Sequence, residues 1–158
     1  EAAQYLSDER PAFAFVYLGT LDNVGHSRGW LSAEYLRQLE RVDLAVGTVL
    51  AAVGSSGAVI VHSDHGGHDH EHGTDALEDL TIPWLAAGPG IRRKYDITQS
   101  VSLLDTAPTI ARLLNLTLPS TWQGHCIEEI LVAPSKRPHL TISQPAFALM
   151  VNRYWGEY

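Results

Sequence analysis

The chain has one cysteine and one methionine in 158 residues. A lone cysteine, Cys126, excludes an internal disulfide framework and leaves the redox compartment open. Long apolar runs are absent too, and nothing approaches the roughly 20 residues of a membrane span. The opening EAAQYLSDER has neither a basic n-region nor an apolar h-region, so it does not read as a signal peptide. It also lacks an initiator Met, so residues upstream of Glu1 are expected, and localisation stays unassigned. Positive charge is scarce: 11 Lys and Arg stand against 18 Asp and Glu, for a net charge of −7. A nucleic-acid binder needs a basic face, so a polymeric nucleic acid is excluded as a partner. A small phosphate ester is not, because bound divalent cations reverse the local sign. The sequon at Asn115–Thr117 is common by chance and carries little weight.

What the chain does contain is an alternation of short apolar runs and amphipathic stretches, with the composition of a globular domain of ordinary size. Residues 12–18 read as a buried strand, ending in the turn-type residues Gly19, Thr20 and Asp22. Leu36, Leu39, Val42, Val46 and Leu50 recur at helical spacing, with Ser32 as N-cap and Gly54 as stop. GAVIVHSDHGG (57–67) and TIPWLAAGPGI (81–91) predict two further buried strands. A second helix is predicted over 102–116. Asp105 or Thr106 would cap it, Pro108 fits its first turn, and Ile110, Leu113 and Leu114 form its apolar stripe. HLTIS (139–143) and FALMV (147–151) predict two short strands. Together these imply an α/β fold with a mostly parallel sheet flanked by helices. Ligands of such sheets lie beyond the carboxyl ends of the strands, where the polar clusters fall.

Five histidines and three acids crowd into HSDHGGHDHEHGT, residues 62–74. Alone, such a tract is as well explained by an exposed polar loop. A second cluster changes the balance. DNVGH places Asp22 and His26 four apart, so one helical turn sets both on one side. Asp64 and His65 are adjacent and point to opposite faces of an extended strand, unless the chain turns there. Gly66 and Gly67 supply that turn. His72 offers a further nitrogen. Two carboxylates and three histidines suit two neighbouring ions better than one tetrahedral ion, and paired ions suit displacement at phosphorus.

The ordered set DNVGH (22–26), VIVHSDHGG (59–67), HGT…IPWLAAGPGI (72–91) and LLDTAPTIARLLNL…P…G (103–124) resembles the alkaline phosphatase superfamily, closest to its type I phosphodiesterase/nucleotide pyrophosphatase branch. It covers roughly two-thirds of the chain and corresponds to the C-terminal half of the domain. On this resemblance residues 1–132 form the C-terminal part of an alkaline phosphatase-like catalytic domain, and 133–158 are a C-terminal extension. The resemblance implies that Asp22, His26 and His72 hold one metal and that Asp64 and His65 help hold a second. Zinc is the favoured ion and manganese the alternative. The family's nucleophile and a further aspartate have no counterpart here. Thr20 and Ser63 are not in the nucleophile position, so no catalytic residue is assigned, and the chain is expected to be an inactive fragment missing the N-terminal half of the domain. The implied activity is metal-dependent hydrolysis of a small phosphate ester. A sulfatase or phosphomutase of the same superfamily is the alternative, and so is a non-catalytic metal-binding or interaction module.

Each residue also has a plainer reading. His68 and His70 could replace His72 or merely orient a ligand. Asp22 could cap a turn, His62 belongs to its strand, and Asp43 is a helix-surface charge. His125 and Cys126 read as structural. Trp30, Trp84 and Trp122 read as core or rim.

Overall fold

The computed structural model describes residues 1–132 and the backbone of residues 147–151. The elements run α1 (Ala2–Glu9), β1 (Phe13–Tyr17), α2 (Thr20–Arg28), α3 (Ala33–Val53), β2 (Val59–His62), α4 (Leu77–Leu80), β3 (Trp84–Ala87), α5 (Thr106–Leu113) and β4 (Phe147–Val151). This order is mixed α/β, as the sequence predicts. The single, mostly parallel sheet is not seen among the described residues. The strands form two two-stranded pieces, β1 with β4 and β2 with β3. β1 and β4 are parallel, with Phe13 opposite Phe147 and Tyr17 opposite Val151. The isolated bridges His68–Glu71 and Ile91–Leu131 are antiparallel. FALMV forms β4, whereas HLTIS lies outside the described residues.

The strands are also less buried than their apolar runs suggest. Phe15 and Tyr17 on β1 and Leu85 on β3 are exposed. A strand is fully buried only when layers cover both its faces. Among the helices, α1 and α2 both pack against α3.

Three helices go beyond the sequence reading: α1, α2 and the short α4. Residues 2–9 form α1, closed by Arg10 in the left-handed region at φ 45°. Gly19, Thr20 and Asp22 do not make a turn but open α2, and Asp22 sits in its first turn, where the helix dipole favours a carboxylate. In α3 the predicted ends hold: the Ser32 hydroxyl accepts from the Tyr35 N–H, and Gly54 at φ 62° stops the helix. Asp105 is the N-cap residue of α5, as predicted, but makes no side-chain cap bond to it. Ser102 and Asp105 close a capping box on the short 3-10 turn Leu103–Asp105 that leads into α5. The Asp105 carboxylate accepts from the backbone N–H groups of Ser102 and His125. The buried face of α5 is Thr106, Pro108, Thr109 and Ala111, rather than the predicted stripe of Ile110, Leu113 and Leu114.

Two compact units result. Among the described residues, one comprises Glu1–Gly54, Val61–Trp84 and β4, the other Ser55–Ile60 and residues 85–132. The second unit has its own core around Ile91, Ala111, Ile127, Ile130 and Leu131. Thr109 is fully buried there, and its hydroxyl donates to the Asp105 carbonyl and accepts from the Ile127 N–H, so neither polar group is stranded. All the metal-ligand candidates lie in the first unit.

Candidate metal centre

Two segments of the first unit meet at the candidate site. α2 carries Asp22 and His26 one turn apart, and the loop after β2 carries His65 and His72. Three imidazoles converge on one carboxylate oxygen. Asp22 Oδ1 is 3.5 Å from His26 Nε2, 3.5 Å from His72 Nε2 and 3.8 Å from His65 Nε2. These separations are too long for hydrogen bonds. They are close to the edge of a tetrahedron of ligands at zinc bond lengths, about 3.4 Å. One donor atom from each of Asp22, His26 and His72 falls within 4.8 Å of the other two.

The protonation pattern suits a cation. His26 Nδ1 lies 2.9 Å from the His70 carbonyl, and His65 Nδ1 lies 2.7 Å from the Gly66 carbonyl. A carbonyl only accepts, so each Nδ1 carries the proton and each Nε2 presents a lone pair. Asp22 Oδ1 is itself a buried acceptor without a hydrogen-bond partner. A buried oxygen without a donor is unsatisfied by protein alone, and a divalent ion held between Asp22, His26 and His72 would satisfy it. The surrounding field is negative. The Tyr35 phenol is raised above its ordinary value by burial and then by Asp22, and the Tyr17 phenol by burial and then by Asp64 and Asp22.

Trp30 backs the site. Its ring meets His26 edge-on at a centroid distance of 5.0 Å and His72 at 5.8 Å. Gly25 and Gly67 lie against the indole so closely that a Cβ on either would overlap it. The Trp30 backbone N–H donates to the Asp69 carbonyl at 2.7 Å. His70 returns the contact of His26, donating from its Nδ1 to the His26 carbonyl at 3.1 Å. His65 stacks on His72 at 3.6 Å.

The other sequence candidates take different places. Asp64 is largely exposed, with its Oδ1 3.7 Å from His65 Nε2, so His65 stands between the two aspartates. His68 is outside the cluster: its Nδ1 donates to Asp79 Oδ1 at 2.8 Å. His70 is engaged with the backbone of α2. His62 donates to the Ser63 carbonyl, and the Thr20 hydroxyl accepts from Gln38. Burial pushes the Cys126 thiol up to about 11, so it is a poor thiolate at neutral pH. Sequence reading passed over Asp79. It is only 3% exposed and accepts from His68 and from the N–H and hydroxyl of Thr74. The His68 hydrogen bond, followed by those from Thr74, holds its carboxyl at about 2. The His68 imidazole is correspondingly raised by the hydrogen bond to Asp79. A carboxylate just ahead of Ile82 and Pro83, which lead into β3, was the available signal.

Comparison with known proteins bears on this geometry. A model of the family described as type I phosphodiesterase / nucleotide pyrophosphatase matches residues 1–115. A 2,3-bisphosphoglycerate-independent phosphoglycerate mutase of Gracilaria tenuistipitata var. liui is 30% identical over 118 residues, 71% of this chain and 23% of the mutase. A phosphopentomutase of Clostridioides difficile is 25% identical over 120 residues, 75% of this chain and 30% of that enzyme. A putative extracellular sulfatase Sulf-1 homolog of Caenorhabditis elegans is 28% identical over 93 residues, 54% of this chain and 13% of that protein. The chain thus spans less than a third of the length of each. No solved structure matches it.

Proposed function

The chain belongs to the type I phosphodiesterase/nucleotide pyrophosphatase family of the alkaline phosphatase superfamily, and from that premise we propose that it forms part of a metal-dependent enzyme acting on phosphate esters. Asp22, His26 and His72 would hold one divalent ion. Asp64 and His65 would contribute to a second, completed by groups outside this set. The observation that carries the reading is Asp22 Oδ1, a buried and unpartnered acceptor with three imidazole nitrogens 3.5–3.8 Å away. Mixed nitrogen and oxygen donors favour zinc, with manganese the alternative.

A bound ion of this kind would polarise a phosphoryl oxygen and stabilise charge on the attacking or leaving oxygen. The chain's own residues do the rest. The His70 and Gly66 carbonyls hold His26 and His65 in the Nδ1–H form. Trp30 closes one side of the donor set. The reaction class we favour is hydrolysis of a phosphodiester, following the family description. Phosphoryl transfer within a substrate is the second reading, favoured by the likeness to two kinds of mutase. Sulfate-ester hydrolysis is the third.

Metal content and turnover measured together test this. The chain is loaded with Zn²⁺ or Mn²⁺, dialysed and assayed for bound ion. Retention by wild type and loss in Asp22→Ala and His72→Ala are expected, and a wild type that retains none overturns the reading. The loaded chain is then offered a chromogenic phosphodiester, a phosphomonoester and a sulfate ester. Preferential turnover of the phosphodiester supports the favoured class. Stoichiometric ion without turnover of any of the three fits a metal-binding module or a fragment that lacks its nucleophile.

A further inference from the structure

Asp79 is the buried carboxylate, among the described residues, that the metal reading leaves without a task. It lies where the histidine loop is pinned at both ends. The Gly66 N–H donates to the Asp79 carbonyl at 2.7 Å, and the Gly67 N–H to the Glu78 carbonyl at 3.0 Å. A Cβ at Gly66 would fall on the Glu78 carbonyl oxygen, so the two backbones run against each other. Beyond them His68 and Glu71 close a tight antiparallel turn through reciprocal bonds of 3.0 and 2.9 Å, with Asp69 in the left-handed region. The Asp79 side chain then binds both ends of the following segment. Oδ1 accepts from His68 Nδ1, and Oδ2 accepts from the Thr74 N–H and hydroxyl, each at 2.8 Å. Three donors therefore converge on one carboxylate, all from residues that bracket His72.

His72 depends on that bracket more than the other two imidazoles do. His26 and His65 are each tethered by an Nδ1–H bond to a carbonyl. Among the described residues His72 has no such tether, and its ring is set by the loop that carries it and by stacking on His65. A metal-binding histidine is ordinarily oriented by a hydrogen bond on its far nitrogen. Here a buried carboxylate orients the backbone instead. Building on the metal-site reading above, we infer that Asp79 is a positioning residue: it sets the His68–Thr74 loop so that His72 Nε2 meets the Asp22 carboxylate, without touching the ion.

Cobalt binding by the full chain tests this, because Co²⁺ reports ligand number and geometry through its ligand-field absorption. Asp79→Ala and His68→Ala should each weaken Co²⁺ binding about ten- to a hundredfold and alter the spectrum, in line with the usual cost of losing outer support at a metal site. His68→Asn places an amide N–H near the Nδ1 position and should recover most of the affinity. A merely structural role would not produce that recovery together with the return of the wild-type spectrum. His68→Asn as weak as His68→Ala, which a ligand role for His68 would give, overturns the inference. So does Asp79→Ala with wild-type affinity and spectrum. If Asp79→Ala does not fold by circular dichroism, Thr74→Val, which removes one of the three bonds, carries the comparison. A several-fold loss is then expected, and wild-type affinity in both Thr74→Val and His68→Ala overturns the inference. A wild-type chain that takes up no cobalt overturns the metal-site reading and this inference with it. Normal uptake by Asp79→Ala overturns only the latter.

Discussion

Asp22 carries a tension that a single substitution exposes. Its Oδ1 is buried and unpartnered although the side chain as a whole is a third exposed. A stranded buried acceptor costs about 1–3 kcal/mol. Asp22→Asn can turn an N–H toward a facing nitrogen, so the metal-free variant should be more stable than metal-free wild type by about 1 kcal/mol while binding no ion. Chemical denaturation with and without zinc reads both effects. Asp79 and His68 make the opposite case, in which both charges are satisfied. The Asp79 carboxyl is held at about 2 against an ordinary 3.8, so its contribution is present above the ordinary value and is lost as pH falls through 2. His68 is raised above 6.5, so its contribution is full below 6.5 and is lost as pH rises through the raised value. Asp79→Asn should therefore destabilise the metal-free chain more at pH 5.5 than at pH 9, as read by denaturation midpoints. At this scale the juxtaposition of Asp22 and His26 was legible from their four-residue spacing, and that of His72 with them only through the family resemblance. Asp79 and Trp30 were not, because their roles come from burial and from neighbours distant in sequence.

At the scale of elements, two glycines separate local propensity from packing. Gly47 lies within α3, and a Cβ there would meet nothing within 4 Å. Gly47→Ala should stabilise the chain by about 1 kcal/mol, the helix-propensity difference. Gly66→Ala would drive a methyl group into the Glu78 carbonyl and should cost more than about 2 kcal/mol, while also loosening the histidine loop. Thermal unfolding of the two variants should shift in opposite directions. α3 also shows where sequence reading stops. Its ends were legible because caps are local. Its inward face was legible only in part: Val42 and Val46 are half-buried as expected, but Leu36, Leu39 and Leu50, also expected inside, are 47%, 44% and 42% exposed. Tyr35, Gln38 and Val49 share the half-buried face. Gln38 belongs there because its amide donates to the Thr20 hydroxyl on α2 at 2.7 Å. Apolar residues occupy so much of this helix that periodicity alone cannot choose the side its neighbours will cover.

At the scale of the whole molecule, charge and metal are linked through the histidines. The net charge is −7 with eight histidines neutral, so their protonation brings the chain near neutrality. Imidazoles must be neutral to bind an ion. Lowering the pH from 8 to 5 should therefore release zinc and reduce solubility together, as read by metal content of the soluble fraction. Unchanged metal content would contradict the site. The α/β class was legible from the alternation of runs, but the pairing of strands was not. Nothing local in Phe13–Tyr17 announces that its partner is Phe147–Val151, near the other end of the chain. Pairing is a long-range choice, and a pattern of period two fixes only which face a residue takes. The indole of Trp30 has one more consequence. Its ring stands 5.0 Å from His26 and 5.8 Å from His72 between ring centroids, so a change at those nitrogens alters its excited-state surroundings. The emission of Trp30 should change in step with zinc occupancy, and Trp30→Phe should leave the other tryptophans silent to the titration. The fold thus carries a lamp beside its candidate ion site, and occupancy can be read by light with no label added.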